Sequence, residues 1–428
     1  MSLAPALESD QFIAKLRKTT LGLVFLTIFL DLVGFGMFIP LLANIARDFH
    51  ATNAQAASLS TWFSVGTLLA VSFFGRFSDK FGRKPILLFT IALSCITQFT
   101  TGFSTGYLFL VVARFIAGIA SGNIGVAQAT ISDISTAEER GKSMIVIGLA
   151  FGAGFAVGPA IGGAVARFLP ADQILFTISC VAAALNFLNF ILVWFKLPET
   201  HHNYASPKLR ALIDKVIAAQ KTPRQGMKNW KIDLNQILKS PGFPTLLLLN
   251  FLQVFGFIGV ETILPVALRD AYSLDHKKIF DAFVLVGIIV LAVNGGVTRR
   301  LLGKFGEIRT LNLGQLFLGL GIASIPFFAP NHTAVLGGLA ILATGSALAN
   351  PSLNALVSRL SPAQSQGFAF GVAQTIAALA RISGPLAMGY FYDIFHGASS
   401  LYISAILIAL SALLGLTVLT RVNNGLKT

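Results

Sequence analysis

Charge and sulfur are both scarce in this sequence. Lys, Arg, Asp and Glu together make up only 12% of 428 residues, with two cysteines and six histidines beside them. Cys95 and Cys180 both lie in apolar stretches, with no CxxC spacing and no histidine cluster nearby, so neither a disulfide nor a metal site is expected. No HExxH occurs and no nucleophile with a companion base can be assembled, which makes an intramembrane enzyme the least favoured class. Acids are scarcer than bases, 18 against 32, for a net charge of +14. Such a charge would suit nucleic acid if it lay on one face of a soluble domain, but no stretch has the composition of one. What abounds is apolar: 54% of the residues are hydrophobic and 37 are Phe. Twelve apolar runs recur along the chain, each of about 20 residues and so able to cross a hydrocarbon core of about 30 Å as a helix. An all-α, twelve-span membrane protein is expected.

The basic residues orient those spans. With both termini placed inside, the inner connections hold 25 of the 32 Lys and Arg, and the outer ones hold five. Arg114 and Arg381 are left within spans. This is the positive-inside asymmetry of a polytopic protein, and it predicts cytoplasmic termini. The opening MSLAPALESDQFIAKLRKTT leads into a span too long for a signal-peptide core and is expected to remain uncleaved. The longest inner connection, 196–242, divides the chain into an N-terminal six-helix bundle, 1–195, and a C-terminal one, 243–428. Within it, Ser206 and Pro207 can start a short helix, and Leu209, Leu212, Ile213, Val216 and Ile217 give that helix an apolar face for the inner membrane surface.

The two halves resemble each other. GFGMFIP (34–40) matches GVETILP (259–265); Gly118 and Asn123 recur as Gly345 and Asn350; Gly141, Gly158 and Pro159 recur as Gly367, Gly384 and Pro385. Every offset lies between 225 and 227. A repeat of six spans predicts two related bundles with a substrate site between them near the membrane midplane.

Two motifs carry a more specific resemblance. GRFSDKFGRKP (75–85) is a charged turn in which Gly75 and Gly82 permit close approach and a tight reversal, Asp79 can take an Arg or a helix N-terminus, and Arg83 and Lys84 can anchor the inner surface. It resembles the signature loop of the major facilitator superfamily at Gly75, Asp79, Gly82, Arg83 and Lys84. That resemblance implies the superfamily's fold and a latch that holds the inner ends of the bundles together in the outward-open state. The second-half equivalent, RLLGKFGEIR (300–309), has Gly303 where Asp79 stands, so the latch is expected to be one-sided. GFAVGPAIGG (154–163) places Gly154, Gly158, Pro159, Gly162 and Gly163 in a stripe suited to close helix packing. It is similar to the helix-5 motif of the superfamily's drug/proton antiporters. Arg114, four residues before Gly118, resembles the arginine those antiporters link to proton transfer, although Ala117 replaces the usual glutamine.

Asp31 lies in the middle of a spanning run, where a carboxylate costs about 2.5 to 3.5 kcal/mol and by default faces the bundle interior. The surrounding LDLVGFGMFIP resembles the first helix of tetracycline/proton antiporters. Asp31 can be a proton carrier, a contact for a cationic substrate, or half of a structural ion pair. Glu261 and Arg114 join it as proton-coupling candidates, with pairings Asp31–Arg114 and Glu261–Arg381. Asp31, Glu261, Arg381, Gln128, Gln253 and Gln374 are the candidate cavity residues, while Asn123 and Asn350 suit interhelical hydrogen bonds. A helical wheel sets Asn123 opposite Arg114.

These features predict a monomeric secondary transporter of a bacterial inner membrane. It exports small amphipathic, drug-like molecules by alternating access in exchange for protons, with no cofactor beyond the proton gradient and lipid as its surroundings. The rival readings are a uniporter or importer of an organic anion, lipid or sugar, and a non-transporting membrane receptor.

Overall fold

The computed structural model describes residues 4–135, 137–207, 209–210, 213–214, 242–360, 366–395 and 397–425, all of them in helices and short connections. In the first half α1 is Ala4–Asp48, α2 Asn53–Phe81, α3 Arg83–Thr101, α4 Tyr107–Asp133, α5 Ala137–Phe168 and α6 Ala171–Lys196. Helix α4 consists of two segments, Tyr107–Ala120 and Asn123–Asp133, that meet at Ser121 and Gly122. In the second half α7 is Phe243–Tyr272, α8 residues 276–305, α9 residues 307–327, α10 His332–Leu360, α11 Gln366–Ile394 and α12 Leu401–Gly425. A π-helical turn, Val293–Val297, interrupts α8. Among the described residues, nine helices have the length and mean hydropathy to cross a membrane, and one of them, His276–Phe327, is a 52-residue run that Gly306 divides.

Local chemistry sets the boundaries. Thr52 and Gln55 form a reciprocal capping box at the start of α2, and Asp275 accepts from the Lys278 amide at 3.0 Å to start α8. Gly82 ends α2 at φ 98° and ψ 159°, and Gly306 divides α8 from α9 at φ 75° and ψ 173°. That backbone region favours glycine, so both halves reverse direction by the same device.

The packing follows the sequence repeat. α1 packs on α5 and α6, α2 on α4, and α3 on α4 and α6; in the second half α7 packs on α11 and α12, α8 on α10, and α9 on α10 and α12. Between the halves, α2 lies along α11, α5 along α8, and α1 meets α7. The described ends of α1 and α12, residues 197–207 and the turns at Gly82 and Gly306 share one end, here called the basic end; the loops after α1, α3, α5, α7, α9 and α11 form the far end.

The apolar core is divided at one end only. A single cluster joins the halves toward the far end, bringing Val33, Met37, Phe38 and Leu41 of α1 together with Val260, Ile263 and Leu264 of α7 and Phe280 of α8. Toward the basic end the clusters belong to one half each: Leu23, Phe74, Leu87 and Val193, or Val24, Ile28 and Ile131, in the first; Phe243, Leu311, Leu353 and Ala369 in the second. The molecule is closed at the far end and forked at the basic end.

In the connection 196–242, Arg210 N donates to Ser206 O at 2.8 Å, so a helical turn starts where expected, and Leu209 and Ile213 are buried. Residues 215–241, including Val216 and Ile217 of the expected amphipathic face, lie outside the described residues, as does Leu212.

Candidate transport site and its two ends

Asp31 stands where the core divides, directly before Leu32 of a first-half cluster and two residues before Val33 of the joined cluster. Ser94 of α3 donates to its Oδ1 at 3.2 Å. Asn123 of α4 lies against the same carboxyl, with its amide oxygen and nitrogen lacking a hydrogen bond of good geometry. A cavity of about 30 Å³ beside it is lined by Asp31, Phe35, Phe63, Ser94, Gln98 and Arg114, among others. Arg114 is 4% exposed, and its guanidinium sits 4.9 Å from the centre of the Phe38 ring. Its Nε has no hydrogen-bond partner, and no ion pair with Asp31 forms within 4.0 Å. The expected Asp31–Arg114 pair is therefore corrected to two groups bordering one cavity. The helical wheel holds in that Arg114 lines the cavity and Asn123 does not; Asn123 reaches the Asp31 carboxyl from just beyond the join at Ser121 and Gly122.

In the second half, Glu261 stands between Val260 and Ile263 of the joined core, five residues beyond the repeat equivalent of Asp31 and so nearer the far end. Among the described residues neither Glu261 nor Arg381 has an ion pair, so their expected pairing is not formed. Arg381 of α11 adjoins Ile382, whose carbonyl accepts from Thr61 of α2 at 2.8 Å, and so lies at the seam between halves. Gln374 and Gln128 are exposed. Gln253 is corrected: at 1% exposure it donates to Asn350 Oδ1 at 3.1 Å and accepts from Gln315 at 2.9 Å. Gln315 reaches on to Ser411 at 2.7 Å, which makes this a structural network inside the second half. Gln253 is taken up there because a buried amide needs partners and the second half supplies them.

At the basic end, Arg83 is no surface anchor. It is 4% exposed and binds Asp79 at 2.6 Å, Asp133 at 2.9 Å and Ser78 at 2.6 Å, all in its own half. Glu199, just beyond α6, accepts from the amides of Arg83 and Lys84 at 2.9 and 3.0 Å and so caps α3. A β-carbon on Gly75 would meet nothing within 4 Å, so the close approach expected there is not made while this end is forked. The sequence analysis gave no role to Glu199 or Asp133; Glu199 lies in the LPET stretch (197–200) that closes α6, and nothing local marks Asp133.

The far end is clasped by reciprocal charges. Arg47 of α1 binds Asp270 of α7 at 2.8 Å, and Arg269 of α7 binds Asp48 of α1 at 3.2 Å. Both members are Arg-Asp dipeptides at the ends of repeat-related helices, so each half supplies one cation and one anion. Arg167 of α5 adds a bond to Asp281 of α8 at 2.6 Å, and Asn53 of α2 one to Asp393 of α11 at 2.7 Å. The helix-5 motif serves both contacts of α5. Gly158 lies on Val33 and Gly36 of α1 and Gly154 on Leu32, while Gly162 and Gly163 lie on Phe280 of α8 in the other half. Pro159 is buried beside Gly36.

The family model for the Major Facilitator Superfamily matches residues 24–385 and again 297–427. The chain belongs to that superfamily. Among its relatives in the superfamily, multidrug resistance protein 2 of Bacillus subtilis is 24% identical over 379 residues, covering 88% of this chain and 90% of the relative. The class G tetracycline resistance protein of Vibrio anguillarum is 26% identical over 377 residues, covering 86% and 89%. Major facilitator superfamily domain-containing protein 10 of Bos taurus is 26% identical over 416 residues, covering 87% and 86%. Two solved structures share the fold. A bacterial homologue of the human lysosomal transporter Spinster aligns with a TM-score of 0.73 at 14% identity, over 95% of this chain and 98% of that one. The human organic anion transporter MFSD10 aligns at 0.66 and 22% identity, over 93% and 99%. Membership makes the chain an integral, multi-pass membrane protein and a transporter of the superfamily, and the fork between its halves is where a superfamily transporter would hold its cargo.

Proposed function

We propose that the chain exports small amphipathic compounds by alternating access in exchange for protons, working as a monomer with its basic end and both termini in the cytoplasm. The observation that supports this reading is the position of Asp31 at the fork, with Glu261 just inside the joined core. A carboxylate there carries a charge whose cost depends on which way the molecule is open, so loading a proton biases one orientation and losing it biases the other. Burial beside only two neutral polar neighbours, Ser94 and Asn123, suits a carrier that must also become neutral. One proton moved down 100 mV supplies about 2.3 kcal/mol, enough to sustain roughly a 50-fold cargo gradient. The similarity to multidrug and tetracycline resistance proteins supports export.

Arg381 supports a second reading, transport of an organic anion. It stands at the seam with no carboxylate partner among the described residues, and the solved MFSD10 is described as an organic anion transporter.

The test uses inverted vesicles with an acid interior and a pH-sensitive dye, to which cationic, neutral and anionic compounds are added in turn. Export in exchange for protons discharges the gradient in wild type and not in Asp31→Asn. Discharge by anionic compounds alone, lost in Arg381→Gln, would replace the first reading with the second. No discharge by any compound would defeat both.

A further inference from the structure

Two antiparallel seams join the halves, and each keeps a constant register. Along the α2–α11 seam, a β-carbon on Gly389 would sit 2.7 Å from the Ala54 Cα, and Thr61 donates to the Ile382 carbonyl at 2.8 Å. From Ala54 to Thr61, α2 advances by as many residues as α11 retreats from Gly389 to Ile382. Along the α5–α8 seam, Gly163 lies on Phe280, Gly287 on Ala156, and Gly152 on Leu291. Each advance along α8 toward the basic end is again matched, residue for residue, along α5, as equal helical rise requires. Below Gly152 the two helices part. One turn further, the same register sets Gly148 of α5 opposite Gly295 of α8.

Gly295 and Gly296 lie in the π-helical turn Val293–Val297, a kind of turn that gathers at functional points. In this conformation nothing packs on them: a β-carbon on Gly295, Gly296 or Gly303 would meet nothing within 4 Å. Thr298 reaches the carbonyl of Val293 at 3.1 Å and that of Ala347 in α10 at 3.2 Å, which ties the turn to the second half. Paired glycines weaken a helix interior, whereas facing glycines on two spanning helices let their backbones approach closely. The repeat also leaves this seam short of a device. The turn after α2 carries Asp79, and its equivalent after α8 has Gly303 in that place, so α5 and α8 have to close without that carboxylate.

We propose that the basic end closes along α5 and α8 in the register these helices already keep at the far end, with Gly295 and Gly296 of the π turn seated backbone to backbone on Gly148. The proposal rests on the alternating access named above. Cross-linking of the full chain tests it in a Cys95→Ala, Cys180→Ala background. Leu149→Cys and Asn294→Cys stand opposite each other in the continued register and leave the glycines intact. Copper-phenanthroline oxidises the two thiols to a disulfide only where their Cα atoms come within about 7 Å. Leu149→Cys with Leu302→Cys, out of register, is the control. Adding Arg47→Asp, which loosens the far end, should raise the yield of the first pair by up to about fivefold and leave the control unlinked. Equal linking of both pairs overturns the register. If Arg47→Asp speeds labelling of a cysteine placed at the far end while neither pair links, the basic end closes elsewhere: the seat is overturned and alternating access stands. If neither labelling nor linking responds, alternating access falls and the seat with it. Gly295→Val has open space in this conformation and should melt like wild type, yet hold the far end shut even with Arg47→Asp. Fast far-end labelling in that double variant overturns the seat.

Discussion

Arg83 illustrates how one side chain can be misjudged from its neighbours in sequence. In a charged turn it counts as another surface cation, yet it is buried between Asp79 and Asp133 and ties the start of α3 to the end of α4. Removing it takes a close counter-charge from Asp133, whose side chain is 11% exposed. Breaking a pair of this kind costs about 3 kcal/mol, so Arg83→Ala should melt well below wild type in detergent, while Lys84→Ala, which keeps the backbone cap from Glu199, should melt close to it. Residue identities that bear their own warning were legible. A carboxylate inside an apolar run announces itself, and Asp31 and Glu261 were both found that way. Roles that depend on a partner far along the chain were hidden, since nothing near Asp133 or Gln315 tells what each meets.

At the scale of the element, the glycines of α5 make the sharpest comparison. A β-carbon on Gly158 would sit 2.6 Å from the Val33 carbonyl oxygen and 2.9 Å from the Gly36 Cα, backbone atoms that cannot step aside. Gly158→Val should therefore separate α1 from α5 and abolish the folded, monodisperse protein in size-exclusion chromatography. Gly75→Ala has open space to enter in this state and should elute and melt like wild type. The stripe was readable as a packing surface because glycines four apart on a helix have few other uses. Its division between a partner in the same half and Phe280 of the other was not, since periodicity describes one helix and leaves its neighbours unnamed. Helix number and order were legible from hydropathy and charge asymmetry, as was the six-plus-six repeat that the pairing of helices repeats.

The whole molecule is held in one orientation by charges that are individually weak. The side chains of Arg47 and Asp270 are 29% and 34% exposed, and those of Arg269 and Asp48 41% and 51%. Each such pair is worth about 0.2 to 1 kcal/mol, so losing one should change the balance of open and closed far ends by up to about fivefold. Arg47→Asp should raise the labelling rate of a cysteine placed at the far end of a Cys95→Ala, Cys180→Ala background. Adding Asp270→Arg to the same protein should restore the slow rate, which a merely unfolded variant would not do. The undivided far-end core also gives the halves a fixed pivot. Helix α2 has 29 residues and, at 1.5 Å per residue, a length of about 44 Å. With the fulcrum in the outer third of that lever, a tilt of about 10° sweeps the opposite end through roughly 5 Å, half a helix diameter. The walls at the mouth travel farthest on the return stroke, whereas a rigid compound wedged against the fulcrum, where they travel least, would block closure and stall the transporter as an inhibitor.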